Sequence, residues 1–489
     1  KQVYKLEISK FGKCLSLVAS FFVSSLVFAV NLQTNEYLKE YNEYLGENTF
    51  TKNIVEFNLT AATSLLAVAG KKAVSTWSYN LQIPGPILRA KQGDNVKINF
   101  TNTLPVKTTI HWHGMRVPNS MDGVPIVTQK PVMPGASFTY EFGLVDAGTY
   151  WFHPHVRSHE QVEKGLYGVF IVESNEDPEY DDEIILVLDD WLLNDEGQIE
   201  DSFDINGGDL NAEGRLGNVI TVNGKPLPTF DVKAGARIRL RVINASNARN
   251  YRFKIPSAEA VIFAVDGNLS GRTLALNEIN IAPGNRVDID IKIPHSKEGN
   301  SIEGTIFDIK NTFFHREARG NILKGPQVLA KLRIKGSVDI VKDFPVPLAD
   351  NVPKWSGALK TPINETFSFD TKLDFGAFFS GGPLVSFVIN GKKYGEHIPT
   401  KMALNQFQHY RITNGTGLYH PIHFHGMFFK VLSRDGKKVD EQFFRDTALL
   451  DYDGSLEIGV IAKDPGSWMM HCHLLEHSAL GMMTLIEVK

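Results

Sequence analysis

The chain has 489 residues and a net charge of −4, with 22% charged and 43% hydrophobic residues. Single cores stop growing near roughly 250–300 residues, so two to four domains are expected. The composition is that of an ordinary globular protein; with no basic block and no long acidic run, neither a nucleic-acid partner nor a disordered acidic tail is expected.

At the N-terminus, Lys1, Lys5, Lys10 and Lys13 precede an apolar stretch from Cys14 to Val30, which passes through Val27-Phe28-Ala29. This layout predicts a secretory signal peptide over residues 1–29, cleaved after Ala29. An uncleaved anchor is the weaker reading, because the stretch is short and carries several serines. The expected location is the bacterial periplasm or the medium, with no stable membrane span after cleavage. Of the two cysteines, Cys14 leaves with the signal and Cys472 remains. No internal disulfide is then possible, and a lone cysteine in an oxidising compartment has to be buried or bound.

Further along, a strand-like segment ending in Asn recurs three times, as GDNVKINFTN (93–102), GARIRLRVIN (235–244) and NQFQHYRITN (405–414). Each alternates apolar and polar residues, the period of a half-buried strand. The spacing is domain-sized. Three copies of one β-domain are predicted, at 50–175, 176–337 and 338–489, built as β-sandwiches because short strands between Gly, Pro and Asn turns dominate. No long helical period stands out beyond the signal, and short loop helices are expected near EQVEKGLYG (160–168). The outer copies share more: IHWHGM (110–115) returns as IHFHGM (422–427), and DAGTYWFHPH (146–155) as DPGSWMMHCH (464–473). The middle copy has only His295 and His315, so the outer copies carry the chemistry and the middle one reads as a scaffold.

Of the 15 histidines, ten fall in these motifs: His111, His113, His153, His155, His420, His423, His425, His471, His473 and His477. A His-X-His pair on a strand presents both imidazoles to one face. Imidazole suits copper, zinc, iron and nickel alike. Cys472, between His471 and His473, narrows the choice. Its sulfur points to the opposite face, where it could meet His420 and His477. Two imidazoles, a thiolate and a weak axial Met make a blue-copper site, and Met482 could supply the axial sulfur. His159, His295, His315, His397 and His409 are read as structural.

HWHG, YWFHPH, HPIHFHG and HCHLLEHSALGMM resemble the four copper signatures of the multicopper oxidases, and VNGKPLP (222–228) and APGNRVDI (282–289) in the middle copy look similar too. The resemblance spans essentially all of the mature chain. It implies an all-β fold of three consecutive cupredoxin-like Greek-key sandwiches and four copper ions. The type 1 copper would take His420, Cys472 and His477 with Met482 axial. The type 2 copper would take His111 and His423. The two type 3 coppers would take His113, His153, His155, His425, His471 and His473. It further implies a laccase-like oxidase that couples four one-electron oxidations of a donor, phenol-like or a metal ion, to reduction of dioxygen to water. Electrons would enter near His420 or His477, with ring edges facing the surface, and pass through Cys472. Asp122 matches an acid that delivers protons in relatives; read alone, it is a turn residue before Gly123. A second relay acid of some relatives is replaced by Ser478. Thr416, Leu418 and Ala479 stand where cuprous oxidases hold substrate copper, and no Met-rich stretch is present, so a cuprous oxidase or a periplasmic copper-binding protein is the alternative. A copper-free scaffold and a nitrite reductase fit the complete histidine set less well.

Overall fold

The computed structural model describes residues 34–203, 213–256, 259–295, 302–312 and 326–489. The segment read as a signal peptide and His315 lie outside the described residues. The rest is all-β, in six sheets that pair into three sandwiches. In each sandwich the Asn-ended repeat lies inside a sheet, between a parallel and an antiparallel neighbour. Asn95–Asn102 lies between Ile54–Val68 and Ser137–Gly143; Arg237–Asn244 between Asp182–Trp191 and Arg286–Lys292; Gln408–Asn414 between Glu365–Leu373 and Ser455–Val460. The second sheet of each pair also holds one parallel contact, between Ile87–Lys91 and Gly168–Glu173, Thr229–Ala234 and Gln327–Ser337, and Thr400–Met402 and Met483–Val488. Each sandwich has its own apolar core.

The repeated asparagine has a physical reason. Asn102 donates Nδ2 to Val106 O at 2.8 Å and Val132 O at 2.9 Å, and its Oδ1 accepts from Leu104 N at 3.0 Å. Asn244 does the same with Arg249 O and Ile281 O, both at 2.8 Å, and with Ser246 N at 3.0 Å. Asn414 repeats it with Leu418 O, Asp451 O and Thr416 N. A buried strand end exposes backbone groups that must find partners. One amide side chain, with two donors and an acceptor, ties the strand to its own turn and to a segment distant in sequence.

A helix at 34–45 was not anticipated. Tyr37 and Tyr41 are buried in a separate apolar cluster with Trp355, Phe407 and Phe444. The apolar spacing is helical, but its fully buried positions are tyrosines, with Leu38 and Leu45 only partly buried beside them. The expected loop helix occurs at Ser158–Gln161.

Candidate metal centres

The four His-X-His motifs sit on or at the ends of short paired strands. His111–His113 pairs with Gly148–His153, placing His111 opposite His153. His420–Phe424 pairs with Gly466–Cys472, placing His423 opposite His471. In three of the motifs the middle residue anchors the strand from behind: Trp112 lies in the first core, Phe424 and Cys472 in the third. The flanking imidazoles therefore face away from the cores, into the space between the first and third sandwiches.

Eight rings converge there. His113 stacks on His423 with centroids 3.7 Å apart, and His111 on His425 at 3.8 Å. His425 Nε2 lies 3.1 Å from His471 Nε2. His155 is 5.2 Å from His471, and His153 5.4 Å from His473, centroid to centroid. Burial, then the neighbouring rings, hold His113, His155 and His473 well below the usual imidazole range, and bring His471 to about 3. These rings are neutral and offer lone pairs.

Hydrogen bonds fix which nitrogen is bare. A carbonyl oxygen only accepts, so a ring nitrogen facing one carries the proton. His111 donates Nδ1–H to Asp122 O at 2.8 Å, His153 to Pro154 O at 3.0 Å, His423 to Asp446 O at 3.0 Å and His471 to Cys472 O at 2.8 Å. His425 donates Nδ1–H to the Asp122 carboxylate at 2.9 Å. Each Nε2 is then left unprotonated. His113 is reversed: Nε2 faces Asp446 Oδ1 at 3.1 Å and Nδ1 is the nitrogen without a partner. Among the described residues, His111 Nε2, His153 Nε2, His423 Nε2 and both nitrogens of His473 also lack partners. An unmade buried bond costs about 1–3 kcal/mol, so several such nitrogens in one volume are the mark of a donor set awaiting cations. Close donor triads form at His111/His113/His153, His111/His423/His425 and His155/His425/His471.

On the other face of the strand, Cys472 Sγ lies 3.4 Å from His420 Nδ1 and 3.8 Å from His477 Nδ1, and the two nitrogens are 3.2 Å apart. Burial pushes the thiol far above its usual range, so it ionises here only beside a cation. Met482 is fully buried in the same core, while Met483 lines a cavity on the opposite side. Both donor sets suit soft-to-borderline metals with nitrogen and sulfur ligands.

The surroundings correct two expectations. His420 and His477 do not present ring edges to solvent; both are 0% exposed. Thr416 Oγ1 covers His420 Nε2 at 2.6 Å, and Phe387 stacks on His477 at 3.8 Å. The middle sandwich, expected to be a scaffold only, also reaches the cluster. Arg286 bonds the Asp446 carboxylate at 2.6 and 2.9 Å, and that carboxylate meets His113 and lies 3.4 Å from His423 Nδ1. Gly284 lies so close that a Cβ would approach His113 Cε1 to 2.9 Å. Sequence reading missed Asp446 and Arg286. The one signal was a charged Arg-Asp pair inside the apolar run FFRDTALL (443–450).

Asp122 is buried at the cluster. One oxygen accepts from His425; the other lies 3.3 Å from His111 Nδ1, whose proton goes to the Asp122 carbonyl, and so has no donor. Burial would raise this carboxyl, but His425 and His111 outweigh it and hold it well below the usual range. Asp122 also closes a turn at Asn119–Met121, so the turn reading and the cluster reading hold together. Gly123 is required here: a Cβ would fall 1.8 Å from Ile110 O. His409 bonds Glu457 at 2.8 Å and Thr361 O at 3.0 Å, as a structural histidine would. His397 bonds Ile389 O at 2.9 Å. Buried His159 lines the Met483 cavity, of about 680 Å³, with His155 and Ser478.

Residues 60–177, 182–300 and 360–489 each match a multicopper oxidase family. A multicopper oxidase of Staphylococcus aureus is 30% identical, over 85% of this chain and 84% of its own. A multicopper oxidase structure from Pseudomonas thermotolerans superposes with a TM-score of 0.76 at 32% identity, covering 90% of this chain and 100% of that one. A multicopper oxidase from Campylobacter jejuni, described as a metallo-oxidase, gives 0.75 at 26%, covering 91% and 93%.

Proposed function

The chain belongs to the multicopper oxidase family and is a copper-dependent oxidase, and we propose that it would hold four coppers: one at His420, Cys472, His477 and Met482, one at His111 and His423, and two at His113, His153, His155, His425, His471 and His473. The observation that carries this reading is the strand ending at Cys472. Its sulfur faces one donor set while His471 and His473, bonded to it through the backbone, face the other. Copper at these donors supplies one-electron redox chemistry and the place where dioxygen becomes water. Cys472 links the two donor sets through the shortest covalent path the chain can offer. Asp122 holds its unpartnered oxygen at the cluster, where it can take up and release the protons that dioxygen reduction consumes.

The donor is proposed to be phenol-like. Leu418 and Ala479 offer no ligand atom to a substrate metal ion, and the Thr416 hydroxyl is occupied by hydrogen bonds. The hairpin whose strand carries Phe387 instead ends in Leu373, Phe375, Phe378 and Phe379, all more than half exposed. Such a concentration of exposed apolar side chains marks a docking surface, here for an aromatic reductant. The similarity to a metallo-oxidase keeps metal-ion donors as the second reading. The basic-then-apolar N-terminal layout supports export, and no helix of the described residues is long and apolar enough to cross a membrane. Domain limits at 50–175, 176–337 and 338–489 are supported by sheet pairs spanning 54–173, 182–337 and 365–488.

Metal analysis, spectroscopy and oxygen uptake test this reading together. The expected result is about four coppers per chain, an intense copper–thiolate band, and faster uptake with phenols than with cuprous ions. Cys472→Ser should abolish the band and donor oxidation while leaving the cluster largely loaded. A band that survives the substitution would overturn the ligand assignment.

A further inference from the structure

We infer that Thr416 is the positioning residue that holds His420 in the tautomer with a bare Nδ1, aimed at Cys472 and His477. The inference rests on the proposed copper site at those three residues. It follows from counting hydrogens. A hydroxyl has one proton and two acceptor positions. Thr416 Oγ1 has three neighbours: Asn414 Oδ1 at 2.8 Å, Leu418 N at 3.1 Å and His420 Nε2 at 2.6 Å. Leu418 N–H can only donate. The Asn414 amide cannot be turned round, because its Nδ2 already faces two carbonyls, Leu418 O and Asp451 O. Its Oδ1 therefore faces the hydroxyl and can only accept.

Two arrangements remain. In one, Thr416 donates to Asn414 Oδ1 and His420 donates Nε2–H to Thr416; every contact then holds one proton. In the other, Thr416 donates to His420 Nε2. Two acceptor oxygens would then stand 2.8 Å apart with no proton between them, and His420 Nδ1–H would point into the donor triad. The first arrangement is the one the geometry permits. It fixes the ring by a bond on the side away from the triad, as outer partners of metal-bound imidazoles do.

The other two repeats separate this role from folding. The asparagine bonds its own turn in all three sandwiches. The residue two places on is Leu104 in the first, which has no hydroxyl, and Ser246 in the second, whose hydroxyl meets Tyr251 at 3.0 Å. The hydroxyl at this position meets a histidine only in the third. The asparagine is thus the structural part, and the Thr416 hydroxyl the part added for His420.

The test compares Thr416→Val and Thr416→Ser in the full-length protein, with copper added back to the metal-free form. Valine keeps the volume and the β-branch but cannot accept from Nε2–H. The expected result is at least about tenfold weaker copper binding at the blue site, the lower end of what loss of an outer hydrogen bond costs. The reduction potential of that site should also rise, because an imidazole without its acceptor is a poorer donor to oxidised copper. Serine should restore both, and the cluster should stay loaded in each variant. Wild-type affinity and potential in Thr416→Val would overturn the inference while leaving the copper site intact, as would failure of serine to restore them. Absence of a copper–thiolate band from the wild type would overturn the site itself, and this inference with it.

Discussion

Five imidazoles in the cluster donate Nδ1–H to an oxygen, and two of those five bonds end on Asp122, one at its carbonyl and one at its carboxylate. A single residue thus orients rings from the first and third sandwiches and still keeps one carboxylate oxygen without a donor. A group holding ligands in place and a group moving protons make different predictions when the charge is removed and the shape retained. Asp122→Asn is expected to keep copper content and blue colour but to slow reoxidation of the reduced enzyme by about 10²-fold, the low end of general acid–base contributions. Stopped-flow reoxidation of the loaded variant measures it, and an unchanged rate would make Asp122 a turn residue only. At this scale the sequence is informative where alternation governs. His471 and Cys472 had to face opposite ways, and Met482 and Met483 likewise, as found. It is silent where a partner comes from elsewhere in the fold. Asp446 lies 333 residues from His113, Arg286 reaches that ring only through the Asp446 carboxylate, and the Arg-Asp pair at 445–446 is the one local mark of either.

Between the strands, the helix at 34–45 joins parts of the chain that the repeats keep apart. Glu40 accepts from Lys354 N at 2.9 Å and Trp355 N at 3.2 Å, Trp355 donates Nε1–H to Tyr37 O at 3.1 Å, and Tyr44 reaches Asn268 at 3.2 Å in the middle sandwich. Tyr41 is its best-buried residue, 5.1 Å from Phe444 and 5.9 Å from Trp355, with a hydroxyl that has no partner. Removing the ring leaves a cavity, so Tyr41→Ala should cost about 3–5 kcal/mol, the usual range for a large aromatic. Tyr41→Phe removes only an unpaired polar atom and should be neutral or stabilising. Denaturant midpoints of both variants decide it; a comparable loss in each would place the stabilisation in the hydroxyl. The strands were legible because three copies confirmed one another. This helix occurs once, so no repeat could reveal it.

Over the whole molecule, the cluster is a set of neutral rings enclosed between two sandwiches, which makes the metal-free protein sensitive to acid. His113, His153, His155, His159, His420, His423, His425, His471 and His473 all lie below their usual range, first through burial, with His471 near 3. In the unfolded chain they protonate near about 6.5. Between about pH 6.5 and 3 the unfolded state therefore binds more protons, so stability falls as pH falls. Buried carboxyls act oppositely: Glu163 is raised to about 7 and Asp266 to about 6, while Asp189 and Glu476 are also raised, each first through burial. These, with half-buried Asp464, which is raised as well, bind protons in the folded state and offset some of the rings, but nine histidines outnumber five carboxyls. Each uncompensated ring is worth about 1.4 kcal/mol per pH unit. Metal-free protein should therefore lose several kcal/mol between pH 6.5 and 5, read as a fall in its unfolding midpoint, with the first and third sandwiches losing their contact first. Copper at the proposed ligands would occupy the lone pairs of eight of these nine rings, all but His159, so protons would have to displace it before they could bind, and the loaded protein should show a flatter profile over this window. Thermal unfolding of both forms at pH 5 and 7.5 is the measurement. A metal-free protein equally stable at both would mean that these rings are already hydrated, and that the cluster is open to solvent rather than enclosed.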